Sequence, residues 1–255
     1  MLPSCRRTIR RPYFADMALS VPFCVLLSVM ACASSDSRGD GDSARDSVPK
    51  AVGVPIDSGA PRLEPRDEAN ASFKEFRERT LAALARRDTA YLHSIVAAEI
   101  RTSFGDGGGL GDFKQMWKTS EASSPVWETL RRVLEMGGKQ TSDSMFTAPY
   151  VYAFWPDSID AFSHIAVTTP DAAVHALPNA GAPTLGSARH SILRAVEWTN
   201  VPGDAVPSDT SWVKVEWRDR SGWLRVADAW SPVSWRAMFA RRGERWLMVL
   251  FVAGD

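Results

Sequence analysis

The sequence predicts an α+β fold: a small helical region, then a small β-barrel, then a C-terminal β-hairpin. Three observations carry this. From Glu68 to about Met145, apolar residues recur at the three- and four-residue spacing of helices. From Met145 onward, short runs of strand formers are separated by Pro, Gly, Asn and Asp. The chain then closes on an apolar run, Trp246 to Val252, which reads as a strand buried on both faces.

Residues 1–31 are expected to be an export signal. Arg6, Arg7, Arg10 and Arg11 form a basic start, and a 14-residue, mostly apolar run follows from Ala18 to Ala31. The run is shorter than the roughly 20 residues a spanning helix needs, and Pro22 interrupts it. Val29-Met30-Ala31-Cys32 resembles the bacterial lipobox, whose cysteine is acylated and becomes the new N-terminus. An ordinary signal peptide with a chance cysteine is the alternative, and Met17 is a second candidate start. Ala33 after the cysteine resembles outer-membrane sorting more than the inner-membrane retention given by Asp at that position. The expectation is a lipid-anchored protein of the cell envelope, at the outer membrane facing the periplasm.

Cysteine usage agrees with export. Cys5, Cys24 and Cys32 all lie in or at the edge of the leader, so the processed chain would have no thiol for a disulfide, a zinc site or a nucleophile. The whole chain balances 30 basic against 30 acidic residues; with four arginines and Asp16 removed, 26 and 29 remain, near −3. That balance gives no footprint for nucleic acid.

Residues 32–67 are rich in Ser, Asp, Gly, Pro and Arg and nearly lack aromatics, the composition of a disordered tether. The helical region, 68–145, begins with Phe73, Phe76, Thr80, Leu81 and Leu84 on one face. Asp88 reads as the N-cap of a second helix through Tyr91, Leu92, Ile95 and Val96. Five glycines in the seven positions 105–111 make a connector; it lacks the Gly-Lys-Ser/Thr end of a phosphate loop and the acidic ligands of a calcium loop. Asp112 then caps a short helix with Phe113, Met116 and Trp117, and Pro125 opens another that Gly137-Gly138 ends.

In the β-region, 146–233, Tyr150-Val151-Tyr152-Ala153-Phe154 reads as a strand. Alternation in Trp212–Trp217 puts Val213, Val215 and Trp217 on one face and Trp212, Lys214 and Glu216 on the other. Four pieces resemble the bacterial SH3-like domain: Ala173-Val174-His175-Ala176-Leu177-Pro178, Ala182-Pro183-Thr184-Leu185-Gly186, Trp212-Val213-Lys214-Val215 and Gly222-Trp223-Leu224. Ala173 and His175 stand where that family usually has Asn and Arg, and Thr199 to Thr210 is a long insert. The resemblance implies an SH3-like β-barrel that binds ligands in the envelope, peptidoglycan or protein segments among them. Residues 234–255 close the chain as a hairpin about Arg241-Arg242-Gly243-Glu244, packed on the rest.

No recognisable catalytic pattern appears. His93, His164, His175 and His190 are scattered without zinc spacing, and no Gly-x-Ser-x-Gly elbow exists. Ser47-Val48-Pro49-Lys50 fits Ser-x-x-Lys but lies in the tether. Asp157 and Asp160 are the carboxylate pair to examine for glycoside cleavage, with turn chemistry as the plain reading. The chain therefore reads as a non-enzymatic binding protein without cofactor or metal; an envelope hydrolase using carboxylates is the alternative. Seven of the ten tryptophans lie between Trp198 and Trp246. Trp217 and Trp223 are expected in the core. Trp198 and Trp230, beside the long insert and in a turn-like stretch, are the candidate ligand-binding rings, a core seal being the plain reading.

Overall fold

The computed structural model describes residues 59–105, 107–199 and 211–254, all within one unit, Lys50–Asp255. Among the described residues the fold is mixed α+β with five helices and two sheets. Helices α1 (Ala71–Ala85), α2 (Thr89–Ile95), α3 (Leu110–Trp117) and α4 (Val126–Glu135) belong to the helical region. Into that region also fall strands β1 (Val96–Arg101) and β2 (Lys139–Ser142); β3 (Met145–Ala148) starts at its last residue, and a one-turn helix, α5 (Tyr150–Ala153), follows.

Local chemistry starts and stops most of these helices, but α3 begins after Gly109, so Asp112, expected as its cap, lies inside its first turn. Asn70 accepts from the Phe73 N–H at 2.9 Å and Asp88 from the Tyr91 N–H at 2.9 Å. On α4 the positions Val126, Leu130, Val133 and Leu134 are buried, while Arg131 pairs outward with Glu128 and Glu135. Gly137, at φ 72°, takes the left-handed conformation just past its end.

Two segments differ from the sequence reading. The second helix stops at Ile95, and Val96–Arg101 leaves as β1, drawn into parallel pairing with the last strand (Val96 opposite Met248). Tyr150–Ala153 is helical where a strand was expected: the Tyr152 and Ala153 N–H groups bond the Pro149 carbonyl at 3.1 Å, and Tyr150 and Val151 are buried.

The terminal hairpin, β11 (Arg236–Arg242) and β12 (Arg245–Val252), turns tightly at Gly243, φ 62°. It is the centre of a five-stranded sheet, β1-β12-β11-β3-β2, rather than an appendage. None of Trp246–Val252 is exposed. Aromatic packing joins helix to sheet: the Phe73 ring stacks on Phe146 at 3.9 Å and meets Phe239 and Trp246 edge-on at 5.3 and 5.0 Å. Each such fully buried side chain stabilises by roughly 1.5–3 kcal/mol.

The second sheet is built from β4 (His164–Val167), β5 (Ala172–His175), β6 (Thr184–Ala188), β7 (Ile192–Thr199), β8 (Trp212–Trp217), β9 (Arg220–Arg225) and β10 (Ala229–Trp230). Its order is β10-β4-β7-β8-β9-β5-β6, antiparallel throughout. The expected barrel is not closed among the described residues: β10 and β6 are the two edges, and β5 meets β9 at a single pair, His175 opposite Trp223. The alternation in β8 holds, with Val213, Val215 and Trp217 at 0, 0 and 1% exposure and Glu216 exposed.

Arg62 and Leu63, expected within the tether, pair with the second sheet. Arg62 bridges Ser191, the Leu63 N–H bonds the His190 carbonyl at 2.8 Å, and Leu63 is buried. The two sheets also meet through Arg132 of α4, whose Nη2 donates to the carbonyls of Ala227 (2.7 Å) and Ala229 (3.0 Å).

Candidate functional site

An open groove of about 820 Å³ lies at one end of the five-stranded sheet. Four segments far apart in sequence, together with Pro125 at the start of α4, build it. Phe104 and Gly105 follow β1; Met116 and Trp117 end α3; Ser231, Val233, Ser234 and Trp235 join β10 to β11; Ala253 and Gly254 follow β12.

Buried groups hold these segments in place. Trp117 is 4% exposed, stacks on Phe251 at 5.0 Å and lies 4.5 Å from Trp235. Ser124 donates to the Trp117 carbonyl and so fastens the loop after α3. Beneath the rim lies Arg236, 6% exposed. Its guanidinium donates to the carbonyls of Val233 and Ser234, both at 3.4 Å, and of Gly254 at 2.8 Å. The same group sits under the Phe104 ring at 5.0 Å and the Tyr152 ring at 4.8 Å. One cation thus ties three of the four wall segments, and the Gly254 N–H adds a bond to the Val233 carbonyl at 2.8 Å.

Large apolar groups remain uncovered on this surface. Phe104 is 42% exposed and Met116 50%, two of the six large exposed apolar residues among those described. Their exposure on one concave surface makes the groove the candidate site.

Trp230, one of the two rings singled out in the sequence, is elsewhere. Trp230, 3% exposed, lies in the shared core, with Arg132 stacked on it at 4.8 Å. Burial there pushes the Arg132 pKa down. The ring seals the junction of the two sheets and faces no solvent, because β10 pairs it against Ala166 of β4. Trp198 is opposite Val213 near the end of β7, and its side chain lies outside the described residues. Cys32 also lies outside them. Trp217 and Trp223 are buried, at 1 and 9% exposure.

The carboxylate pair has the geometry of a turn. Asp160 accepts from the Phe162 N–H at 3.0 Å and the Ser163 hydroxyl at 2.5 Å, and the hydroxyl bond foremost holds its pKa below the usual carboxylate range. A general acid needs the opposite shift. Asp157 is exposed. His175 is buried, bonded to the Ala182 carbonyl at 3.1 Å and edge-on to Trp212 at 5.3 Å. The glycine-rich connector folds back on β1, where the Gly109 N–H bonds the Ile100 carbonyl at 2.7 Å, and Asp112 caps Gly108 at 2.9 Å. Asp106 lies outside the described residues.

Comparison with known proteins finds no match among family models, curated proteins or solved structures.

Proposed function

We propose that this chain is a non-enzymatic protein of the bacterial cell envelope, anchored by a lipid on Cys32, that binds cell-wall polymer or envelope proteins. The observation that carries the binding reading is the groove, with its exposed Phe104 and Met116 and its rim fixed from below by Arg236. A site whose walls are held before the ligand arrives loses less entropy on binding. The reading of the β-region as SH3-like belongs to the same proposal. In its support, the four sequence pieces fall on β5, β6, β8 and β9, which are neighbours in one sheet in the order 8-9-5-6.

Two measurements test the proposal together. Intact mass of the membrane-extracted protein should carry an acyl addition that Cys32→Ala abolishes. Co-sedimentation with insoluble peptidoglycan should retain the chain, and Phe104→Ala should reduce that retention. An unmodified soluble protein that stays in the supernatant contradicts both halves.

A further inference from the structure

The chemistry of the groove walls narrows the ligand, given the binding reading above. We infer that the groove takes an uncharged saccharide, with the C–H face of a sugar ring laid on Phe104 and Trp235.

Charge comes first. The described lining residues include no Asp, Glu, His, Lys or Arg. The nearby cation, Arg236, lies below the surface and is engaged with three carbonyls and two rings. A ligand bearing carboxylates or ammonium groups would be partly desolvated here against walls that offer no opposite charge, which is unfavourable. The stem peptides of a cell wall carry such groups; its N-acetylated sugar rings can be neutral.

Shape and polarity agree. A ring face carries partial negative charge and suits the weakly positive C–H face of a pyranose. Between the apolar groups stand hydroxyls, and those of Ser103 and Ser234 make no hydrogen bond to another described residue, so both can meet sugar hydroxyls or amides. Met116, half exposed beside them, is a flexible apolar wall that adapts to an irregular ligand. The groove's volume of about 820 Å³ exceeds what one ring fills, so an oligomer rather than a monosaccharide is the fitting occupant.

The test titrates the full chain calorimetrically with the tetramer of N-acetylglucosamine and, separately, with an acidic tetrapeptide. The tetramer should bind saturably and the peptide should not. Phe104→Ala and Met116→Ala, both at exposed positions, should each weaken the tetramer about tenfold with thermal unfolding unchanged. Tetramer binding that survives both variants, or peptide binding that Phe104→Ala removes, overturns the inference. Retention on peptidoglycan without any tetramer response overturns the saccharide assignment and leaves the binding reading standing; absence of both overturns the two together.

Discussion

The Arg236 guanidinium lies 5.0 Å from the centroid of the Phe104 ring, although the two residues are separated by most of the fold's sequence. This contact places a structural cation beneath the rim of the groove. Arg236→Met keeps the apolar stem but leaves the Ser234 and Gly254 carbonyls without the Arg236 donor and the Val233 carbonyl with the Gly254 N–H alone. The expected cost is about 2–3 kcal/mol in chemical denaturation, with faster amide exchange across residues 231–235. Arg236→Lys should recover only part of it, because one ammonium cannot reproduce the planar fork. An unchanged exchange pattern in Arg236→Met would show that the rim is held by other means.

Trp230→Ala should behave as a core deletion. The ring is 3% exposed and covered by Arg132, so truncation should cost roughly 3–5 kcal/mol. A variant of near-native stability would return Trp230 to the list of surface contacts.

Much of the fold was legible because local signals and tertiary demands coincide. The Asp88 and Pro125 helix starts, the Gly137 stop, the β8 alternation and the Gly243 turn all follow from residues within one turn or strand. The exceptions were decided at a distance. Ile95 and Val96 continue a helical spacing, and only pairing with β12 makes Val96–Arg101 a strand. Tyr150 and Val151 have strand propensity, yet bury as one helical turn beside the core. The groove was illegible for the same reason: Phe104, Met116 and Trp235 form no motif because they come from separate segments. Trp230, whose turn-like sequence pointed outward, pairs into β10 and turns inward. The one available signal was the crowding of tryptophans after residue 198, to which Trp235 belongs.

Gly222 occupies a position where size is restricted. A Cβ there would stand 2.3 Å from Val174 Cγ1 and 3.3 Å from Leu185 Cδ1. Gly222→Ala should therefore displace β5 from β9 and destabilise by about 1–3 kcal/mol. Gly222→Ala combined with Val174→Ala should recover part of the loss if the clash is the cause; no recovery would place the cost in the backbone instead.

Two buried or half-buried groups set opposite pH limits. Asp67 receives both Arg77 nitrogens, at 2.9 and 2.7 Å, and that hydrogen bonding lowers its pKa despite partial burial. Its contribution is present above the unfolded carboxylate pKa and is lost as pH falls through the lower folded value. Asp67→Asn should flatten the acid limb of stability. Tyr150 is pushed up to about 12, chiefly by burial. Its contribution is present below the ordinary phenol range and is lost as pH rises through about 12. Tyr150→Phe should remove that alkaline limb while leaving the acid limb intact, and identical alkaline limbs in the two proteins would contradict the assignment.

Incubation of the full chain with purified peptidoglycan, followed by analysis of both pellet and soluble fragments, tests the central claim most directly. The account predicts that the chain is retained in the pellet, that Phe104→Ala diminishes retention, and that no soluble fragment accumulates. Release of muropeptides or sugar fragments in step with protein concentration would contradict it and identify a hydrolase.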